Sequence, residues 1–341
     1  MISRIKQINA FTQLGSFIED PQNQAILSDW CQAAYLKNNW FKPELVQQSL
    51  LALAEQYLRK NKLEAWLEKY PLPNSPCKVG VVMAGNIPAV GFHDVLCVLA
   101  SGHTLLAKPS TDDQALMLLL LQKLISFEPS LAEQIQIVDR LNEADAYIAT
   151  GSDNTARYFH YYFAKKPHII RKNRTSIAIL TGEETHEELK ALGEDVLKYY
   201  GLGCRNVSKI YVPKDYEFTP FYEAIEPMAD RFLNHHKYFN NYEYNKSIVL
   251  INRVPHFDNG FLILTESPAL VSPISMLHYQ RYERLTDIEE SLVDQQEKIQ
   301  CVISSSQLNW PHSIEMGKSQ SPGLSDYADN VDTMKFLSSL G

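Results

Sequence analysis

The sequence contains no Cys-x-x-Cys pair, and its five cysteines, Cys31, Cys77, Cys97, Cys204 and Cys301, are odd in number and widely scattered. That argues against a disulfide framework or a zinc finger and fits a reducing compartment. There is no Gly-x-Gly-x-x-Gly and no P-loop, which disfavours ordinary Rossmann and P-loop nucleotide binding. No apolar run reaches membrane-spanning length. The richest, Ala115-Leu116-Met117-Leu118-Leu119-Leu120-Leu121, reads as a buried helix. A basic excess is also missing: the formal net charge is −8 and the pI about 5.7. A general nucleic-acid binder would need a basic face. Met1-Ile2-Ser3-Arg4-Ile5-Lys6 has neither a signal-type apolar core nor a cleavage site, so a cytoplasmic protein is expected. No repeat and no low-complexity tract occurs. What remains is ordinary: 341 residues, 45% hydrophobic and 21% charged, enough for two domains with cores.

Residues 1–75 are helical in pattern. Lys42-Pro43-Glu44 sets a proline in a first helical turn, and Val46, Leu50, Leu53 and Tyr57 follow at helical spacing. Pro71-Leu72-Pro73-Asn74-Ser75-Pro76 breaks the pattern. From Cys77 strands alternate with helices. Strands are expected at 79–84, 104–107, 135–138, 147–149 and 168–170, with helices over 90–100, 112–125 and 154–163 between them. Asp112 and Asp113 stand at the positive end of the second of these helices. A second series has strands at 176–180, 209–212, 247–251, 261–265, 274–278 and 301–304. Its helices cover 183–199, 219–236 and 287–295. The stretch 238–244, rich in Tyr and Asn, reads as a surface loop, and the tail from Pro311 is polar. Such alternation predicts parallel sheets covered on both faces, with ligands at the C-terminal ends of the strands.

Four stretches carry chemistry. In Tyr200-Gly201-Leu202-Gly203-Cys204-Arg205-Asn206 a cysteine follows two glycines between a helix and a strand. A thiol there suits a nucleophile beside its own backbone N–H, half of an oxyanion hole; it equally suits a small buried turn residue. Met83-Ala84-Gly85-Asn86-Ile87-Pro88 follows the first sheet strand. Asn86 can donate to an oxyanion, or the motif is turn chemistry. Lys108, ending the second strand, can reach ribose hydroxyls or a 2′-phosphate, or stay solvated. Thr150-Gly151-Ser152-Asp153 turns into a helix whose free N–H groups suit phosphate, or Ser152 or Asp153 simply caps it.

Taken in order, these pieces resemble the aldehyde dehydrogenase superfamily, and within it the acyl-CoA reductases of the bacterial bioluminescence fatty-acid reductase (LuxC-like) type. Ala84-Gly85-Asn86-Ile87-Pro88 is similar to the asparagine loop that supplies an oxyanion donor. Gly102 through Ser110 is similar to the Gly-Asn-x-Val-x-x-Lys-Pro-Ser strand whose lysine holds the adenosine ribose, and Thr150-Gly151-Ser152 to the helix start near the cofactor phosphates. Gly201-Leu202-Gly203-Cys204 resembles the nucleophile turn. Glu266-Ser267-Pro268 with Pro273-Ile274 resembles the Glu-x-Phe-Gly-Pro-Val element, whose glutamate holds the nicotinamide ribose. Gly317 to Pro322 and Asp326 to Thr333 resemble the tail of the acyl-CoA reductase branch.

The resemblance implies an α/β, aldehyde dehydrogenase-like fold with two α/β domains, mostly parallel sheets and a helical N-terminal segment. The expected division is 1–75 helical and packed on the cofactor domain, 76–175 cofactor-binding, 176–310 catalytic and 311–341 a tail. It implies Cys204 and Asn86 as catalytic residues and Lys108, Ser110, Gly151, Ser152 and Glu266 as cofactor contacts, with no metal. The cofactor expected is NADPH, or NADH, and the substrate an acyl-CoA, reduced to an aldehyde through a Cys204 thioester. No nucleic-acid partner is expected. Two departures bear on this. Ordinary aldehyde dehydrogenases carry Glu-Leu-Gly-Gly-Lys, whose glutamate activates water; here the stretch is Arg171-Lys172-Asn173-Arg174-Thr175-Ser176, with no carboxylate. Deacylation by water thus lacks its base, while acyl exchange with the CoA thiol needs none. The dimer-building hairpin is missing ahead of Val79, which leaves a homo-oligomer open. The alternatives are an acyltransferase or thioesterase using the same cysteine without hydride, and a non-catalytic subunit of this fold. Arg205 can lower the thiol's pKa or be a solvated turn residue. His235-His236 reads as a helix-end surface pair rather than a metal site. His93-Asp94 reads as a satisfied, partly buried pair, and the other four cysteines as packing.

Overall fold

The structure, a computed structural model, describes residues 2–305, 310 and 313–340. It divides into two units, Met1–Asn173 with Pro322–Gly341, and Arg174–Ser321. In the first unit the elements are α1 (Arg4–Glu19), α2 (Gln24–Lys37), α3 (Pro43–Tyr57), α4 (Lys60–Leu67), β1 (Lys78–Val82), α5 (Phe92–Ala100), β2 (Thr104–Lys108), α6 (Gln114–Phe127), β3 (Ile135–Ile137), β4 (Ala146–Thr150), α7 (Asp153–Phe163) and β5 (His168–Arg171). The strands form a parallel sheet in the order β3-β2-β1-β4-β5.

Short apolar runs become central strands because both faces are covered. Val79 and Val81 of β1 are fully buried, as are Leu105 and Ala107 of β2. The four opening helices share their core with the sheet's own helices: Phe11, Leu14, Val46, Leu63 and Trp66 cluster with Leu96, Val98, Leu116 and Leu120. Each such side chain contributes about 1.5–3 kcal/mol on leaving water. The last residues belong to this core too, through Leu324, Tyr327, Met334 and Leu337. Trp66 Nε1 donates to the Tyr327 hydroxyl at 2.9 Å, and Arg171 donates to Asp94 at 2.6 Å and to Thr333 Oγ1 at 2.9 Å.

The second unit comprises β6 (Thr175–Ile179), α8 (His186–Leu197), β7 (Val207–Pro213), α9 (Thr219–Ile225), α10 (Ala229–Leu233), α11 (His236–Ile251), β8 (His256–Asp258), β9 (Ile263–Glu266), β10 (Met276–Tyr282), α12 (Leu285–Val293), β11 (Ile299–Ile303) and β12 (Ser313–Ile314). Its sheet runs β12-β11-β6-β7-β10-β9-β8, parallel throughout except for the β8–β9 pair.

Three local expectations are corrected. The loop at 238–244 and the strand at 247–251 are one helix, α11. Its register is fixed by polar tethers: the Tyr238 hydroxyl donates to Phe261 O at 3.0 Å, the Tyr242 hydroxyl to Asp258 at 2.8 Å, and Asn245 Nδ2 to Ile274 O at 2.9 Å. The helix expected over 219–236 is broken at Glu226–Met228, where Pro227 supplies no N–H. His235 is not a surface residue. It is buried, and its Nδ1 accepts the Tyr238 N–H at 3.1 Å as the N-cap of α11. Pro311, where the polar tail was expected to begin, lies outside the described residues. Ser313–Ile314 then pairs with β11.

Candidate active site

In the first unit the five expected residues sit at one edge of the sheet. Val82 ends β1 and pairs with Lys108 of β2 on one side and Ala149 of β4 on the other. The turn carrying Asn86 follows Val82, Gly151 and Ser152 follow β4, and Ser110 follows β2. All therefore lie beyond the C-terminal ends of three adjacent strands. The connection reverses direction between β1 and β4, and such switch points are where open α/β sheets bind ligands. The Asn86 turn and the Ser110 segment touch: a Cβ on Gly85 would overlap Ser110 Cβ and Oγ, so only glycine fits. The turn is pinned at its far end. Asp113 Oδ2 accepts the Ala89 N–H at 2.9 Å, with Ala89 at φ +57°, and Ser49 Oγ donates to Pro88 O at 2.7 Å. Asp113 does stand at the N-terminal end of α6, as the sequence placed it, but its side chain makes no cap bond there and reaches back to the turn. Burial pushes its carboxyl well above the usual range. Asn86 and Lys108 have exposed side chains. Ser152 Oγ caps α7, accepting the Thr155 N–H at 3.3 Å.

This edge fits a dinucleotide. An exposed lysine, a serine hydroxyl, a glycine with no side chain and the start of an 11-residue helix with free N–H groups stand side by side. Lys108 would reach a ribose, and Gly151 with Ser152 would face phosphate.

In the second unit, Cys204 lies in the turn between α8 and β7. The turn is built from strained backbone: Tyr199, Tyr200 and Gly201 take φ of +53°, +60° and +75° in succession. For the tyrosines this conformation costs on the order of 1–3 kcal/mol each, and persists only where packing over-determines it. Tyr200 is buried, its ring 4.2 Å from that of His235 and 5.8 Å from that of Tyr238. Asn206 closes the turn. Its Nδ2 donates to Asp195 O (3.0 Å), Val196 O (3.3 Å) and Lys198 O (2.8 Å), covering the C-terminal carbonyls of α8. Its Oδ1 accepts the Gly203 N–H at 2.8 Å. From β6, Ser176 Oγ donates to Cys204 O at 3.1 Å. Cys204 is held from both sides at the N-terminal end of β7.

Burial separates Cys204 from three of the other thiols: Cys31, Cys97 and Cys301 are buried, whereas Cys204 and Cys77 are half-exposed. Burial raises the Cys31 and Cys301 thiols to about 11, and lifts Cys97 well above and Cys77 above its usual value. At neutral pH these four stay as thiols, which are poor nucleophiles. Glu266 is the exposed last residue of β9, beside Tyr279 of β10. In place of the water-activating glutamate, Arg171 is spent on Asp94, while Thr175 and Ser176 lie in β6. Among the described residues no cluster of His, Cys, Asp or Glu could hold a metal ion, and no helix is long and apolar enough to cross a membrane.

Sequence reasoning gave no role to Asn206, Ser176 or Asp113. Asn206 had a signal, a polar residue within the cysteine turn, but its three carbonyl partners come from the preceding helix. Asp113 was legible only as a helix-start carboxylate.

The family model of acyl-CoA reductase (LuxC) matches residues 3–236, a span that contains Asn86, Lys108, Ser110, Gly151, Ser152 and Cys204. The chain belongs to the acyl-CoA reductase family. It is an oxidoreductase acting on aldehydes and acyl thioesters. None of the curated proteins matches the chain. Among solved structures it is similar to a NAD-dependent aldehyde dehydrogenase from Sinorhizobium meliloti, at 10% identity and a TM-score of 0.67, covering 90% of this chain and 71% of that one. It is similar also to an NADP-dependent enzyme from E. coli, at 12% identity and a TM-score of 0.66, covering 90% and 74%. A NAD-dependent benzaldehyde dehydrogenase from Corynebacterium glutamicum gives 10% identity and a TM-score of 0.65, covering 90% and 77%. These likenesses establish an aldehyde dehydrogenase-like fold for this reductase.

Proposed function

We propose that this reductase converts an acyl-CoA, of the fatty acyl class, to the aldehyde through a thioester on Cys204, with NADPH as the preferred cofactor. One observation carries the reading: a half-exposed thiol on a strained, tightly held turn belongs to a chain of the acyl-CoA reductase family. Cys204 Sγ attacks the thioester carbonyl, the C–S bond to CoA breaks, and the CoA thiolate leaves with a proton. The Cys204 N–H and the Asn86 amide are the donors for the oxyanion. Lys108, Ser110, Gly151 and Ser152 bind the adenosine and phosphate part of the cofactor, and Glu266 the nicotinamide ribose. The bound nicotinamide supplies hydride for the acyl carbon. Cys204 then departs as thiolate and the aldehyde is released. With no carboxylate at 171–176, water has no base with which to intercept the acyl group.

The test mixes long-chain acyl-CoA with NADPH and follows NADPH absorbance, with Cys204→Ala beside the wild type. Loss of NADPH in the wild type alone, with an acyl adduct at Cys204 by intact mass, is the expected result. Equal NADPH loss in both proteins would refute the nucleophile. An acyl adduct without NADPH oxidation in either would make the protein a transferase.

A further inference from the structure

The segment after Glu266 hangs from three side chains of the neighbouring strands. Lys209 Nζ donates to Pro268 O at 3.0 Å, His278 Nδ1 lies 3.2 Å from Ala269 O, and Ser208 Oγ donates to Leu270 O at 2.7 Å. Three consecutive carbonyls are each met by a side chain. The lysine is itself fixed by a second bond, 2.7 Å to Gln280 Oε1, and the serine by a 2.6 Å contact with Thr175 Oγ1.

Two features make this cradle unusual for a plain loop anchor. The first is a buried lysine in the middle of a largely apolar strand: Lys209 is 1% exposed, next to the fully buried Ile210. Burying an ammonium is expensive, and carbonyl ligation offsets it. The second is a register shift. Ser176 pairs with Val207, but the next residue, Ile177, pairs with Lys209, leaving Ser208 as the extra residue of a β-bulge. Successive strand side chains point to opposite faces, and a bulge re-aims one of them. Here it lets Ser208 and Lys209 reach the same segment.

The strand positions add geometry. Glu266 pairs with Tyr279, which pairs with Ile210, so Glu266 stands level with the strand just beyond Lys209. The Ser267 N–H bonds to Tyr279 O at 3.0 Å. The main chain leaving Glu266 is therefore tied at 267, 268, 269 and 270 to β10 and β7, and β7 is the strand that Cys204 precedes.

We infer that Lys209, with Ser208 and His278, is a positioning residue for cofactor binding: it sets the main chain that presents Glu266 to the nicotinamide ribose. The inference rests on the role given to Glu266 above. Lys209 acts through Glu266 and touches no reacting atom.

The test uses the full chain as wild type, Glu266→Gln, Lys209→Met, Ser208→Ala and Glu266→Gln/Lys209→Met. Two readouts are taken: NADPH dissociation constant by fluorescence without acyl-CoA, and the burst of CoA released by Cys204 acylation without NADPH. Lys209→Met is expected to weaken NADPH binding about tenfold, and Ser208→Ala about threefold, in line with one or two lost hydrogen bonds. The CoA burst stays within twofold in both, and the double variant binds NADPH no more weakly than its weaker parent. Wild-type NADPH affinity in Lys209→Met and Ser208→Ala, with affinity lost in Glu266→Gln, overturns the cradle alone. Wild-type affinity in Glu266→Gln overturns the ribose role of Glu266 and the inference with it. Should Lys209→Met lose its CoA burst through misfolding, Ser208→Ala decides: an unchanged NADPH affinity there overturns the inference.

Discussion

The side-chain oxygen of Asn206 accepts the N–H of Gly203 at 2.8 Å, one residue ahead of Cys204. The same side chain covers three carbonyls at the end of α8. One amide thus couples the helix end to the nucleophile turn. Asn206→Ala uncovers these groups and is expected to lower stability by on the order of 2–4 kcal/mol. Acylation of Cys204 falls by about tenfold or more as the turn loosens. Asn206→Asp keeps the acceptor for Gly203 but sets a buried carboxylate oxygen against the three carbonyls, so it is expected to cost at least as much as the alanine. Denaturant midpoints and the CoA burst measure both.

Asp113 gives a pH signature of unusual sign. Burial raises its carboxyl well above the ordinary value of 3.8. Its folded pKa exceeds the unfolded one, so its contribution to stability is full at acid pH and is lost as pH rises above about 4. Asp113→Asn keeps the acceptor for the Ala89 N–H but removes the ionisation. Its stability relative to wild type should rise from pH 4 towards pH 7, read from urea midpoints across that range. Asp113→Ala, which leaves the Ala89 N–H unpartnered, loses stability and activity at every pH.

Lys209 predicts a slope in the alkaline range. Desolvation lowers it from 10.5 to about 8. The unfolded chain binds more protons between those values, so stability rises with pH from about 8 to 10.5, by about 3 kcal/mol at most. The titratable neighbour across the sheet, His278, is itself lowered mainly by burial and so is neutral throughout this range. Lys209→Met should flatten the slope, seen as a difference between wild-type and variant unfolding curves at pH 8 and pH 10.

The Asp94–Arg171 pair, at 2.6 Å and nearly fully buried, predicts a large asymmetry. Asp94→Ala strands the guanidinium and should cost about 3–5 kcal/mol, while Asp94→Leu with Arg171→Met recovers most of it. Thermal unfolding of the three proteins measures this.

The sheets were legible because parallel strands are buried on both faces and read as short apolar runs. Val79-Gly80-Val81-Val82 and Ile177-Ala178-Ile179 needed no context. α11 was not legible for the converse reason. Tyr and Asn are weak helix formers and Ile248, Val249 and Ile251 favour strands, so local preference pointed away from a helix. The tethers from Tyr238, Tyr242 and Asn245 come from residues up to 29 positions away. In the site, Cys204, Asn86, Lys108 and Gly151 could be picked out because turn chemistry is local. Asn206 and Asp113, which hold two of these turns, and Lys209, which holds the segment after Glu266, act through partners from other elements, and the signs left in the sequence were a polar residue in the cysteine turn and a lysine within a largely apolar strand.

The return of the last residues to the first unit has a consequence for how the chain folds. Leu324, Tyr327, Met334 and Leu337 complete a core whose other side chains begin at Ile8. The second unit is one uninterrupted segment between the two parts of the first. During synthesis the first 173 residues therefore emerge before their final core partners exist, and the second unit can condense while the first still waits for closure. Opening in the native state should follow the reverse route, with release of 322–341 exposing Trp66 and Tyr70 before the sheet gives way.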